Sequence, residues 1–112
     1  MDSKRQSRVA KQIQKDLGDI FQLETRGLFG GAMITVTKVK MTPDLGLAKV
    51  YLSLFATDNK EGLLEAIRAH YGEIRYQLGK KLKNQLRKVP ELQFYQDDSL
   101  DYIENIDNLL NE

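Results

Sequence analysis

With one histidine, His70, and no cysteine, the chain offers little to nucleophilic or acid–base catalysis, which needs tunable side chains held together. His70 sits two residues before a glycine and could reach a phosphate. A lone histidine on a helix surface is more often solvated or structural. Asp97, Asp98 and Asp101 lack the alternating ligands, central glycine and distal glutamate of a calcium loop. They read more simply as a solvated helix start whose charges favour the positive end of the dipole. No enzyme activity, metal or cofactor is expected.

The cations are a stronger signal. Arg75, Lys80, Lys81, Lys83, Arg87 and Lys88 lie between Ile74 and Pro90 with no acid among them, opposite the apolar series Ile74, Leu78, Leu82 and Leu86. Arg5, Arg8, Lys11 and Lys15, with Lys4, form a second basic cluster near the N-terminus. Cations on one helix can serve simply to solubilise it and complement its dipole, but two clusters favour a polyanion, RNA or DNA, engaged through its phosphates. Membrane binding is disfavoured: the apolar face has no tryptophan and is needed for the core. Gly27-Leu28-Phe29-Gly30 has literal G-x-x-G spacing but joins a helix to a strand, so turn geometry is expected there rather than phosphate cradling.

The elements that must position these residues follow from periodicity. From Ser3 to Leu23, Val9, Ile13, Leu17, Ile20 and Phe21 recur at helical spacing, and Ser3 with Gln6 suits a capping box. Three glycines in Arg26–Gly31 mark a loop. Met33 to Met41 reads as a strand in which Ile34 and Val36 share one parity and Val39 and Met41 the other, predicting a bulge at Thr37 or Lys38. Thr42-Pro43-Asp44-Leu45-Gly46 is a turn. In a second strand, Leu47 to Phe55, Ala48, Val50, Leu52 and Leu54 alternate against a wetter face of Lys49, Tyr51 and Ser53.

Asp58 followed by Glu61 marks the next helix start, and Leu63, Ile67, Tyr71, Ile74, Leu78, Leu82 and Leu86 continue at helical spacing until Pro90. Gly72 costs about 1 kcal/mol there relative to alanine, so two helices should meet near it. Leu92 and Phe94 alternate with Gln93 and Tyr95 in a third strand. Ser99 would cap a closing acidic helix bearing Tyr102, Ile103, Ile106, Leu109 and Leu110. The expected fold is α+β, a three-stranded sheet with helices on one face.

At 112 residues and 41% hydrophobic content the chain supports one modest core. The net charge of +1 conceals a division. Residues 1–96 carry 17 basic against 10 acidic side chains, a net +7, while 97–112 carry six acids and no base. The expected organisation is a basic domain over 1–96 and an acidic helical tail over 97–112 packed on or next to it. The N-terminal residues lack the apolar stretch of a secretory signal, and with no cysteine the chain suits the reducing cytoplasm.

The opening Ser7-Arg8-Val9-Ala10-Lys11-Gln12-Ile13-Gln14-Lys15 resembles bacterial ribosome-binding factor A. So do the hairpin from Val36 to Leu52, Leu86-Arg87-Lys88-Val89-Pro90-Glu91-Leu92-Gln93-Phe94, and the close Ile106-Asp107-Asn108-Leu109-Leu110. The likeness spans essentially the whole chain. It implies a type II KH-like domain in the order α-β-β-α-kink-α-β, and a non-catalytic factor that binds the free small (30S) ribosomal subunit. It further implies contact with 16S rRNA near the decoding region, support for processing of that RNA's 5' end, and importance in cold adaptation. In that family the G-x-x-G loop of ordinary KH domains is replaced by a helix-kink-helix with alanine, one residue, then glycine. The aligned residues here are His70-Tyr71-Gly72, with the glycine kept and the alanine replaced.

On this reading the ten cations Arg5, Arg8, Lys11, Lys15, Arg75, Lys80, Lys81, Lys83, Arg87 and Lys88 bind rRNA phosphates. RNA shape and neighbouring ribosomal proteins supply specificity. The protein would be a monomer with no membrane partner. The rival reading is a protein-interaction module using the acidic tail and an exposed sheet edge.

Overall fold

The computed structural model describes residues 3–24, 27, 29–55, 57–86 and 88–97. The predicted elements form in the predicted order: α1 (Lys4–Glu24), β1 (Met33–Met41), β2 (Leu47–Phe55), α2 (Lys60–Ala69), α3 (Tyr71–Leu82) and β3 (Glu91–Gln96). The closing helix with its Ser99 cap, and most of the acidic tail, lie outside the described residues.

At the head of α1 the capping box is complete. Gln6 N–H donates to Ser3 Oγ at 3.1 Å, and the Ser3 N–H donates to Gln6 Oε1 at 2.9 Å. The Gln6 amide also donates to the Met41 carbonyl at 3.1 Å, so one side chain caps the helix and ties it to the end of β1.

The sheet has order β1-β2-β3, with β1 antiparallel and β3 parallel to β2. Val36 pairs with Leu52 and Lys38 with Tyr51, which leaves Thr37 as the extra residue of the predicted bulge. The Val36 carbonyl beside it accepts from the Gln14 side chain of α1 at 3.1 Å. Because the bulge switches parity, Val36 on one side and Val39 and Met41 on the other all point into the core.

One face of this sheet holds the core. Ile13, Leu17, Ile20 and Phe21 of α1, Leu63 and Ile67 of α2, and Ile74, Leu78 and Leu82 of α3 cover Ala48, Val50, Leu52, Leu54, Leu92 and Phe94. Burying each large apolar side chain contributes roughly 1.5–3 kcal/mol before entropy is subtracted. Phe21 contacts Phe29 and Phe94, with ring centroids 5.9 and 6.2 Å away, and anchors the glycine loop. The turns of that loop use positive φ at Gly30 and Gly31, as glycine allows.

Three local expectations are corrected, and the expected helix break is located. The N-cap of α2 is Asn59, not Asp58, because Asn59 Oδ1 accepts from Gly62 N–H at 2.9 Å. The break between α2 and α3 falls at His70, the first of the residues His70, Tyr71 and Gly72 around which two helices were expected to meet, with φ −95° and ψ 19°. The long helix ends at Leu82 rather than running to Pro90. Turns at residues 83–85 follow, and the chain folds back so that Val89 lies over Gly79. Ser53, expected on the wetter face of β2, is 3% exposed.

Candidate nucleic-acid interface

The early end of α3 has a specific consequence for the basic residues. Lys83 becomes the C-cap of α3 and Lys88 lies in the connection to β3, so the expected cationic helix face is split between helix and loop. Arg87 lies outside the described residues.

Arg75 holds these two parts together. Its Nη2 donates to the Val89 carbonyl at 2.7 Å and its Nε to the Pro90 carbonyl at 3.2 Å. Two carbonyls of the returning strand lead are thereby satisfied, and a guanidinium charge is pinned between two grooves. One groove, about 650 Å³, is bordered by Ser3, Arg5, Asp44, Arg75, Lys88 and Glu91. The other, about 540 Å³, is bordered by Tyr71, Gly72, Arg75, Tyr76, Lys80 and Lys83. Arg75 and Val89 border both, so Arg5 from the N-terminal cluster joins Lys88, Lys80 and Lys83 on one continuous surface.

The remainder of the N-terminal cluster is directed elsewhere. Lys11 and Lys15 border a groove of about 940 Å³ between α1 and β1, beside Asp19, Gln22 and Met33. Arg8 and Lys81 are exposed and border none of these three grooves. The tertiary structure thus brings together about half of the predicted cations.

His70 is half-buried and its ring packs edge-on against Phe29, centroids 5.9 Å apart. Its backbone serves as C-cap of α2 and N-cap of α3. The imidazole is therefore a hinge residue packed against the glycine loop. Tyr71 is also committed, its hydroxyl accepting from Leu92 N–H at 3.1 Å on the outer edge of β3. Arg68 closes the next position on that edge by donating to the Phe94 carbonyl at 2.7 Å. The sheet edge invoked by the rival reading is accordingly covered at two positions.

Gly72 is different, for a Cβ there would meet nothing within 4 Å. Its lack of a side chain leaves the helix backbone open to the groove. Beside it Tyr76, 62% exposed, carries Lys80 Nζ 4.6 Å from its ring centroid. An aromatic face backed by a cation suits a nucleobase attached to a phosphate. Periodicity had no reason to single out Tyr76; its position three residues from Gly79 and four from Lys80 was the available signal.

Among titratable groups, Asp44 at the rim of the first groove has a perturbed acidity. Bonds from Thr42 Oγ1 at 2.6 Å and from Gly46 N–H at 3.0 Å hold its carboxyl below the ordinary 3.8. Among the described residues no group of three or more histidine, aspartate or glutamate side chains could hold a metal ion. No helix among them is long and apolar enough to cross a membrane.

The profile of the family described as ribosome-binding factor A matches residues 5–110. The chain is 48% identical over 111 residues to ribosome-binding factor A of Flavobacterium psychrophilum, covering 98% of this chain and 85% of that one. The solution structure of a Thermotoga maritima protein described as a ribosome-binding factor A superposes with TM-score 0.67 at 27% identity, covering 88% of this chain and 92% of that one. A homology model of the Thermus thermophilus ribosome-binding factor A, as fitted into the cryo-EM map of a 30S complex, gives TM-score 0.64 at 24% identity, covering 80% of this chain and 91% of that one. This last likeness concerns the fold.

Proposed function

The chain belongs to the ribosome-binding factor A family, and from that premise we propose that it binds the free small ribosomal subunit and assists its late maturation, including 5'-end processing of 16S rRNA. It acts as a cytoplasmic, monomeric, non-catalytic factor that is needed most in the cold. The observation that carries the reading is the surface through Arg75, where Arg5, Lys88, Lys80 and Lys83 converge on two adjoining grooves.

Such a surface engages rRNA phosphates, and the open backbone at Gly72 beside Tyr76 lets the RNA approach closely. The protein favours one conformation of immature rRNA through differential affinity, and leaves when the mature state, which it binds poorly, is reached. Neighbouring ribosomal proteins complete the site.

The test is co-sedimentation with free small subunits, large subunits and whole ribosomes over a salt series. It is run beside a variant with Lys80, Lys81, Lys83, Arg87 and Lys88 changed to glutamine. Selective, salt-sensitive binding to small subunits that the variant loses supports the proposal. Absence of binding at low salt overturns it. Salt-insensitive binding that survives the substitutions points instead to a protein partner, the rival reading.

A further inference from the structure

The helices all lie on one face of the sheet, and the opposite face carries a patterned set of side chains that neither the core nor the α3 surface uses. Across the three strands one row reads Lys38, Tyr51 and Tyr95, and the next reads Lys40, Lys49 and Gln93. Tyr51 and Tyr95 are stacked, ring centroids 5.4 Å apart at 27° between planes. Lys38 Nζ lies 5.8 Å from the Tyr51 centroid.

Two features of this arrangement are not explained by folding. Lys40 and Lys49 are exposed and directly opposite each other on antiparallel strands, a like-charge pairing that destabilises a sheet. Among the described residues neither forms an ion pair that would offset it. In addition, Tyr95 sits on an edge strand at 37% exposure, which leaves part of its ring accessible to a planar partner. Its hydroxyl is held by donation to Gln93 Oε1 at 2.6 Å, which limits rotation of the ring.

We propose that this sheet face is a second nucleic-acid contact surface, taking single-stranded RNA by stacking a base on Tyr95 and neutralising phosphates with Lys38, Lys40 and Lys49. A polyanion is the partner that relieves Lys40–Lys49 repulsion, and a strand with unpaired bases is the polyanion that uses an aromatic platform. The acids near this face sit at its margins. Asp97 accepts from Thr37 Oγ1 at 2.6 Å, and Glu91 begins β3 beside Leu47. The surface is separate from the α3 grooves, so the chain would contact RNA on two sides.

The test is fluorescence anisotropy of the full chain with a dye-labelled single-stranded oligouridylate over a salt series, with a labelled RNA duplex as reference. A variant with Lys38, Lys40 and Lys49 changed to glutamine should bind the oligouridylate about tenfold or more weakly and flatten its log–log salt slope by about two. Tyr95→Ala should weaken binding roughly 5- to 100-fold with the slope unchanged, and Tyr95→Phe should retain most of it. Circular dichroism and thermal melting check that each variant is folded.

Unchanged oligouridylate affinity and slope in the triple variant overturn the proposal, as does unchanged binding by Tyr95→Ala. If the triple variant loses affinity only for an added acidic peptide of sequence 98–112, the face serves an acidic chain and the proposal also falls. Small-subunit co-sedimentation of the α3 variant is read separately, so failure at one surface leaves the other standing.

Discussion

Arg75 and Val89 are joined by a 2.7 Å hydrogen bond from Nη2 to the carbonyl, so a cation that looks from its spacing like an RNA ligand is also a clamp on the chain entering β3. Arg75→Gln should therefore lower stability by about 1–3 kcal/mol, since it strands carbonyls that a charged donor now satisfies. Lys80→Gln, Lys81→Gln and Lys83→Gln should each stay within about 0.5 kcal/mol of the parent. Urea denaturation of the four variants separates the clamp from the solvated cations; equal stabilities would remove the structural role of Arg75.

Gly72 has no packing reason to be glycine, because a methyl group there meets open space. Gly72→Ala should leave the fold intact and stabilise it by up to about 0.5 kcal/mol, the lower end of the helix penalty of glycine. The same variant should bind small subunits at least severalfold more weakly if RNA approaches the backbone there. Unchanged co-sedimentation would remove this contact from the proposed surface.

Asp44 supplies the pH prediction. Its carboxyl is held below 3.8 by Thr42 and Gly46, so the folded state favours the charged form. The contribution of this group to stability is present above pH 3.8 and is lost as pH falls through its lower folded value. An NMR titration of the Asp44 side chain should give a midpoint below that of an exposed aspartate. Thr42→Val, which removes the hydroxyl donor, should move it back upward.

Local pattern was enough for much of this fold. The Ser3–Gln6 capping box, the Thr37 bulge and the alternation at Ala48, Val50, Leu52 and Leu54 are all where the residue types place them. Each depends on neighbours a few positions away, and a parity switch is visible without knowing the partner strand. The Asn59 cap was less legible, since the neighbouring Asp58 offers similar capping chemistry and only the folded backbone brings Gly62 N–H to Asn59 Oδ1.

The sequence by itself determined the order of elements, the core-facing parity of the strands apart from the burial of Ser53, and the charge division between a basic body and an acidic end, because periodicity and composition are local or additive properties. Only the tertiary structure decided which cations act together. Arg5 joins Arg75, Lys88, Lys80 and Lys83, whereas Lys11 and Lys15 face a different groove, because α3 stops at Leu82 and the chain turns back under the hold of Arg75. The stacked Tyr51 and Tyr95 likewise come from strands separated by two helices, and parallel pairing of β2 with β3 is what sets them side by side.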